Sequence, residues 1–88
     1  MLEKDIESYL VKRVAAAGGT AYKFSSPARR GVPDRIVIMP CGRVVFVELK
    51  APGKRPTTLQ EREHERLRAL GQSVCIIDSK EACDALLQ

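Results

Sequence analysis

The sequence predicts an α/β fold in which a mixed sheet is flanked by helices, and three observations carry that prediction. Two runs rich in β-branched residues, Asp34 to Met39 and Arg43 to Lys50, are separated only by Pro40-Cys41-Gly42, which is a hairpin signal. A later apolar run, Val74 to Ile77, follows a helical segment, so its strand arrives by a crossover and can pair in parallel. The chain opens with helical periodicity, which places a helix before the first strand.

The elements follow in order. Ile6, Leu10 and Val14 recur every four residues and Gly18-Gly19 stops the pattern, giving a helix from about Glu3 to Ala17. A short strand is expected from Ala21 to Phe24. Ser25 to Val32 mixes Ser, Pro, Arg and Gly without periodicity and reads as a loop. After the hairpin, Ala51 to Pro56 holds two prolines and a glycine and can continue neither strand nor helix. Thr58 with Glu61 three residues on forms a capping box, opening a helix to about Leu70, before Gly71. Leu59, Leu67 and Leu70 are its expected core contacts, and the mixed charges from Glu61 to Arg68 read as a solvated face. The strand Val74 to Ile77 and a terminal helix from about Lys80 to Leu87 complete the order helix, three strands, helix, strand, helix.

With 88 residues, the chain fits one domain over positions 1–88. A domain of this size buries only about 60 to 65% of the surface that its unfolded chain exposes. A composition 44% hydrophobic and 30% charged excludes disordered and membrane classes. No run approaches the roughly 20 apolar residues of a membrane span, and the acidic N-terminus lacks the apolar core of a secretory signal. The expected location is therefore the cytoplasm. Cys41, Cys75 and Cys83 are too far apart for a zinc or redox pair and are expected as reduced thiols, Cys75 in the core. The net charge of +4 matters less than its placement, since Arg29, Arg30 and Arg35 flank one loop and Lys50, Lys54 and Arg55 another. Basic residues around two loops suit a polyanion, although solvated surface charge would look the same.

The chemistry concentrates in Gly31-Val32-Pro33-Asp34 and in Val45-Phe46-Val47-Glu48-Leu49-Lys50. Alternation in a strand puts Glu48 and Lys50 on one face and Val45, Val47 and Leu49 on the other. By itself an acid and a base at a strand end is also what a structural ion pair looks like. Asp34 changes the balance, because pairing through the Cys41-Gly42 turn brings it to the same end of the sheet. Two adjacent carboxylates repel unless a cation lies between them, and hard oxygen ligands suit Mg²⁺ or Mn²⁺. With a lysine beside them, the chemistry implied is phosphodiester hydrolysis.

These residues resemble the VRR-NUC domains, a branch of the PD-(D/E)XK nuclease superfamily. The match rests on Arg30-Gly31-Val32-Pro33-Asp34-Arg35, on Phe46-Val47-Glu48-Leu49-Lys50-Ala51-Pro52-Gly53, and on Gln60 early in the next helix. The resemblance implies a restriction-endonuclease-like αβββαβ core. It also implies a metal site of Asp34, Glu48 and the Leu49 backbone carbonyl, with Lys50 as catalytic lysine and Gln60 beside the site. The superfamily often adds a glutamate from the first helix. Glu3 and Glu7 share the stripe of Leu10 and Val14, and Glu7 is preferred as the further catalytic acid and ligand, directly or through water. Acids in a first turn also simply oppose the helix dipole.

Ser25, Ser26, Arg29, Arg30 and Arg35 on one side, and Lys54 and Arg55 on the other, are the candidate DNA contacts. His64, four residues after Gln60, is expected to be solvated. No aromatic platform for base stacking is evident, so recognition of backbone and shape is expected. Stand-alone proteins of the resembled type are phage enzymes that act as homodimers on branched DNA such as four-way junctions, and no small-molecule cofactor is implied. A non-catalytic DNA-binding module of the same fold, or a restriction-type endonuclease, remains open.

Overall fold

The computed structural model describes residues 1–88. Helix α1 (Glu3–Ala16) leads into β1 (Thr20–Lys23), then β2 (Arg35–Ile38) and β3 (Val44–Leu49), helix α2 (Thr58–Ala69), β4 (Ser73–Ile77) and helix α3 (Lys80–Leu86). The sheet runs β1-β2-β3-β4 in space. The first two pairings are antiparallel and the last is parallel. This is the mixed sheet expected of a hairpin followed by a helical crossover, and the elements start and stop within a residue or two of where periodicity places them.

The β2–β3 connection is a short 3-10 turn over Pro40–Gly42 in which Cys41 adopts φ 68°. The Met39 amide donates to the Arg43 carbonyl at 2.8 Å and closes the hairpin. That turn sets the register Arg35 opposite Val47, which decides where Asp34 falls.

The pleat divides the sheet into two unlike faces. On one, Val37, Val45, Val47, Leu49 and Ile77 pack with Ile6, Leu10 and Val14 of α1 and with Cys83 and Leu86 of α3. This is the core. Cys75 packs at its margin and is only partly buried, whereas Cys83 is fully buried and its thiol is pushed up to about 11 by burial. All three cysteines are free. Register puts Tyr22, Ile36, Phe46 and Val74 on the opposite face, together with Glu48 two residues beyond Phe46. Helix α2 lies over the β4 side of that face.

The structure corrects two expectations for α2. Its capping box is Thr57 with Gln60, one residue earlier than Thr58 with Glu61: the Thr57 hydroxyl accepts from the Gln60 amide at 3.2 Å, and the Gln60 Oε1 accepts from the Thr57 amide at 2.9 Å. Its buried residues are Glu63 and His64; of the expected leucines only Leu67 is half-buried, while Leu59 and Leu70 are 48% and 64% exposed. The inward polar residues have a clear cause, which is that this helix covers a polar site.

Candidate active site

Asp34 enters the site from a tightly held loop. Gly31 has φ +82°, and a Cβ there would stand 2.9 Å from the Leu59 carbonyl oxygen, so the loop crosses the start of α2 at a distance only glycine allows. Pro33 is buried beneath it. The Asp34 amide then donates to the Val47 carbonyl and the Asp34 carbonyl accepts from the Phe24 amide, each at 2.9 Å, which pins the residue between β1 and β3. Its Oδ2 accepts from the Leu49 amide at 2.8 Å. By strand alternation the Leu49 carbonyl leaves β3 on the same side as that amide.

We expect Gly31→Ala to destabilise the fold by about 1 to 3 kcal/mol, through left-handed strain added to the clash with Leu59. A urea midpoint unchanged from wild type would contradict the tight crossing.

Glu48 is the centre of the arrangement, with only 2% of its side chain exposed. Its Oε2 accepts from Gln60 Nε2 at 3.2 Å and lies 3.4 Å from Lys50 Nζ. Its Oε1 is buried with no hydrogen-bond partner. Burial first, and the Asp34 charge second, push the carboxyl up to about 7, and Lys50 offsets this only in part. A buried carboxylate with one orphaned oxygen and a second carboxylate nearby is a group short of positive charge.

His64, expected to be solvated, is instead 1% exposed, and its Nε2 lies 3.6 Å from Glu48 Oε1. Neither ring nitrogen has a hydrogen-bond partner. Burial, followed by the nearby Arg68 and Lys50 charges, lowers its pKa, so the ring is neutral at pH 7 and meets Glu48 as a dipole rather than as a cation. The four-residue step from Gln60 is the signal that could have found it, since both side chains leave the same helical face.

Glu7 is not brought into this group. It faces the opposite side of the sheet, where its Oε2 accepts from Arg35 Nε at 2.9 Å and lies 3.8 Å from Lys23 Nζ. Arg35 shares that face, is 18% exposed, and also donates to the Ala21 carbonyl at 2.9 Å, so it is held inside the fold rather than presented on a loop. The helix-one acid whose charge Glu48 senses is Glu3.

No cluster of three His, Cys, Asp or Glu side chains is close enough to hold a metal alone. The donors available are two carboxylates and a backbone carbonyl. An incomplete oxygen set of this kind fits a small divalent cation that keeps several waters, and the orphaned Oε1 supplies an uncommitted ligand atom.

Among the candidate DNA contacts, Ser25, Arg29, Arg30, Lys54 and Arg55 are exposed and Ser26 is half-buried. The loop bearing Lys54 and Arg55 is held by the Gly53 amide donating to Asp78 Oδ2 at 3.2 Å. No helix is long and apolar enough to cross a membrane.

No family model matches the chain. The chain is 55% identical over 84 residues to "Putative nuclease p44" of Acyrthosiphon pisum secondary endosymbiont phage 1, covering 96% of this chain and 90% of that one. A solved structure described as "VRR_NUC domain" superposes with a TM-score of 0.90 at 36% identity, covering 99% of this chain and 96% of the other. Similarity of this extent, over a sheet that sets Asp34, Glu48 and Lys50 together, leads to one conclusion: the chain belongs to the VRR-NUC nuclease family.

Proposed function

We propose that the protein is a metal-dependent endonuclease that hydrolyses phosphodiester bonds in branched DNA, with Asp34, Glu48 and Lys50 as its catalytic set. The observation that carries this reading is the buried Glu48, which has an orphaned oxygen, a carboxylate neighbour and a lysine 3.4 Å away. Asp34, Glu48 and the Leu49 carbonyl are the groups that would hold Mg²⁺ or Mn²⁺. When bound, such an ion supplies Lewis acidity at the phosphate and neutralises the two carboxylates.

The remaining work falls to the chain itself. The Leu49 amide fixes the Asp34 carboxylate, and Gln60 fixes that of Glu48, so neither has to reorganise when substrate arrives. The Lys50 ammonium projects from the same face as Glu48 and can orient the attacking water or stabilise charge developing on the phosphoryl oxygens. Arg29, Arg30, Lys54 and Arg55 flank this face and suit contacts to DNA phosphates.

Action on junctions as a homodimer, in the cytoplasm of a phage host, is supported by the family resemblance and by symmetry. A chain with one site makes one cut, and paired cuts across a junction call for two sites related by a two-fold axis. A surface suited to self-association lies on the half of the sheet face that α2 leaves open, where Tyr22, Ile38 and Val44 are 61%, 36% and 38% exposed.

The test is cleavage of labelled four-way junction, flap and linear duplex with Mg²⁺, Mn²⁺ or EDTA, beside sedimentation equilibrium at micromolar concentration. We expect a dimer that cuts the junction in preference to the duplex and is silent in EDTA. A monomer cutting linear duplex equally well would overturn the junction reading, and binding without cleavage under every metal condition would overturn the enzyme.

A further inference from the structure

Beside the catalytic face, a cavity of about 330 Å³ is lined by Ala28, Arg29, Arg30, Leu59, Arg62, Glu63 and Arg66. Four of these carry guanidinium groups. The single acid among them, Glu63, is 6% exposed and is already engaged by Arg29 at 2.7 Å and by Arg66 at 3.8 Å. Arg30 and Arg62 have no acidic partner. Arg62 and Arg66 are one turn apart on α2, a like-charge spacing that disfavours a helix. A cluster of charge +3 (four arginines less one glutamate) is thus assembled around a concave surface, with its only counter-charge on the inner wall.

Position gives this cluster a purpose. Leu59, Arg62, Glu63 and Arg66 form one stripe of α2, and the adjoining stripe carries Gln60 and His64 against Glu48. Arg30 directly precedes Gly31, whose backbone crosses α2 at Leu59 and leads within three residues to Asp34. The cavity and the carboxylates therefore share both walls. From Gln60 to Arg66 the helix rises about 9 Å, comparable to about one or two phosphate spacings along a single DNA strand.

We infer that this arginine cavity is a second phosphate-binding site, which holds the DNA backbone about one or two nucleotides from the bond being cut. The inference rests on the nuclease reading above and deepens it by assigning Arg62 and Arg66, with Arg30, to substrate. Planar guanidinium forks suit phosphate oxygens, and Glu63 holds two of the forks in place from behind. Contacts of this kind set the register of the strand over the catalytic residues without reading bases.

The experiment measures DNA binding in EDTA as a function of salt, so that it is independent of cleavage. It compares wild type with Arg62→Gln/Arg66→Gln and with Lys4→Ala/Lys12→Ala, a double variant that loses the same charge from α1. Thermal melts establish that each variant is folded, and Arg62→Gln/Arg30→Gln leaves Glu63 both partners should Arg66 be needed for folding. We expect the arginine variants to bind about tenfold more weakly and to lose about two units of salt slope, while the lysine variant keeps the wild-type slope. Equal losses in the arginine and lysine variants would reduce the effect to net charge and overturn the inference. So would a wild-type slope in the arginine variants. Titration with inorganic phosphate separates a free-anion site: phosphate binding lost in the arginine variants, with their DNA slope unchanged, would assign the cavity to a small anion instead. Failure of the wild type to cut any DNA would count against the nuclease reading alone, because the binding comparison is made without metal.

Discussion

Glu48→Gln is expected to melt at a higher temperature than the wild type at pH 8 in EDTA, and at nearly the same temperature at pH 4. The carboxyl of Glu48 rises from 4.5 to about 7 in the folded chain, through burial and then the Asp34 charge. The native state therefore holds this proton more tightly than the unfolded chain does. The resulting stability is fully present below about pH 4.5 and is lost as pH rises through about 7. That shift corresponds to about 3 kcal/mol, or on the order of 10 to 20 °C for a chain of this length. Glutamine keeps the shape and the acceptor for Gln60 without the charge, so the pH-dependent loss disappears. Calorimetry at the two pH values checks this, and a wild-type melting temperature flat between them would sink it. Millimolar Mg²⁺ or Mn²⁺ should then raise the wild-type melting temperature at pH 8 and leave the variant unmoved.

Lys50→Ala is expected to lower single-turnover cleavage of a DNA junction by about 10² to 10³-fold, with DNA affinity in EDTA within about threefold of wild type. The ammonium is 15% exposed and 3.4 Å from Glu48, a position that serves the reacting phosphate rather than general attraction of DNA. Cleavage at the wild-type rate would remove Lys50 from the catalytic set. A parallel loss of binding and cleavage would make it a phosphate anchor instead.

The parts of the site that lie on strands were legible in the sequence. Val45, Val47 and Leu49 alternate with Phe46, Glu48 and Lys50, and a period of two states directly which side chains share a face. The hairpin turn then fixes the register of β2, which Asp34 immediately precedes. Glu7 shows where such reading stops. Its helical stripe does face the sheet, but apolar spacing does not say which side of the sheet a helix covers, and α1 covers the side away from Glu48. His64 and Glu63 fail for a different reason. A helix laid over a polar centre turns polar residues inward, so the apolar stripe that normally marks the buried face is missing, and Leu59 and Leu70 stand in solvent. The arginine cavity escaped notice because it joins a loop and a helix some thirty residues apart in sequence.

Gln60 links two events that are separate in most proteins. Its oxygen closes the first turn of α2 on the Thr57 amide while its nitrogen holds Glu48. Fraying of that turn and release of the carboxylate are therefore a single opening, and helix ends open at far lower free energy than a core does. The active geometry can be lost and regained while the valine and leucine core on the other face stays intact. The geometry around Glu48 is in that sense a local property, tied to one side-chain amide and to the strength of a helix cap.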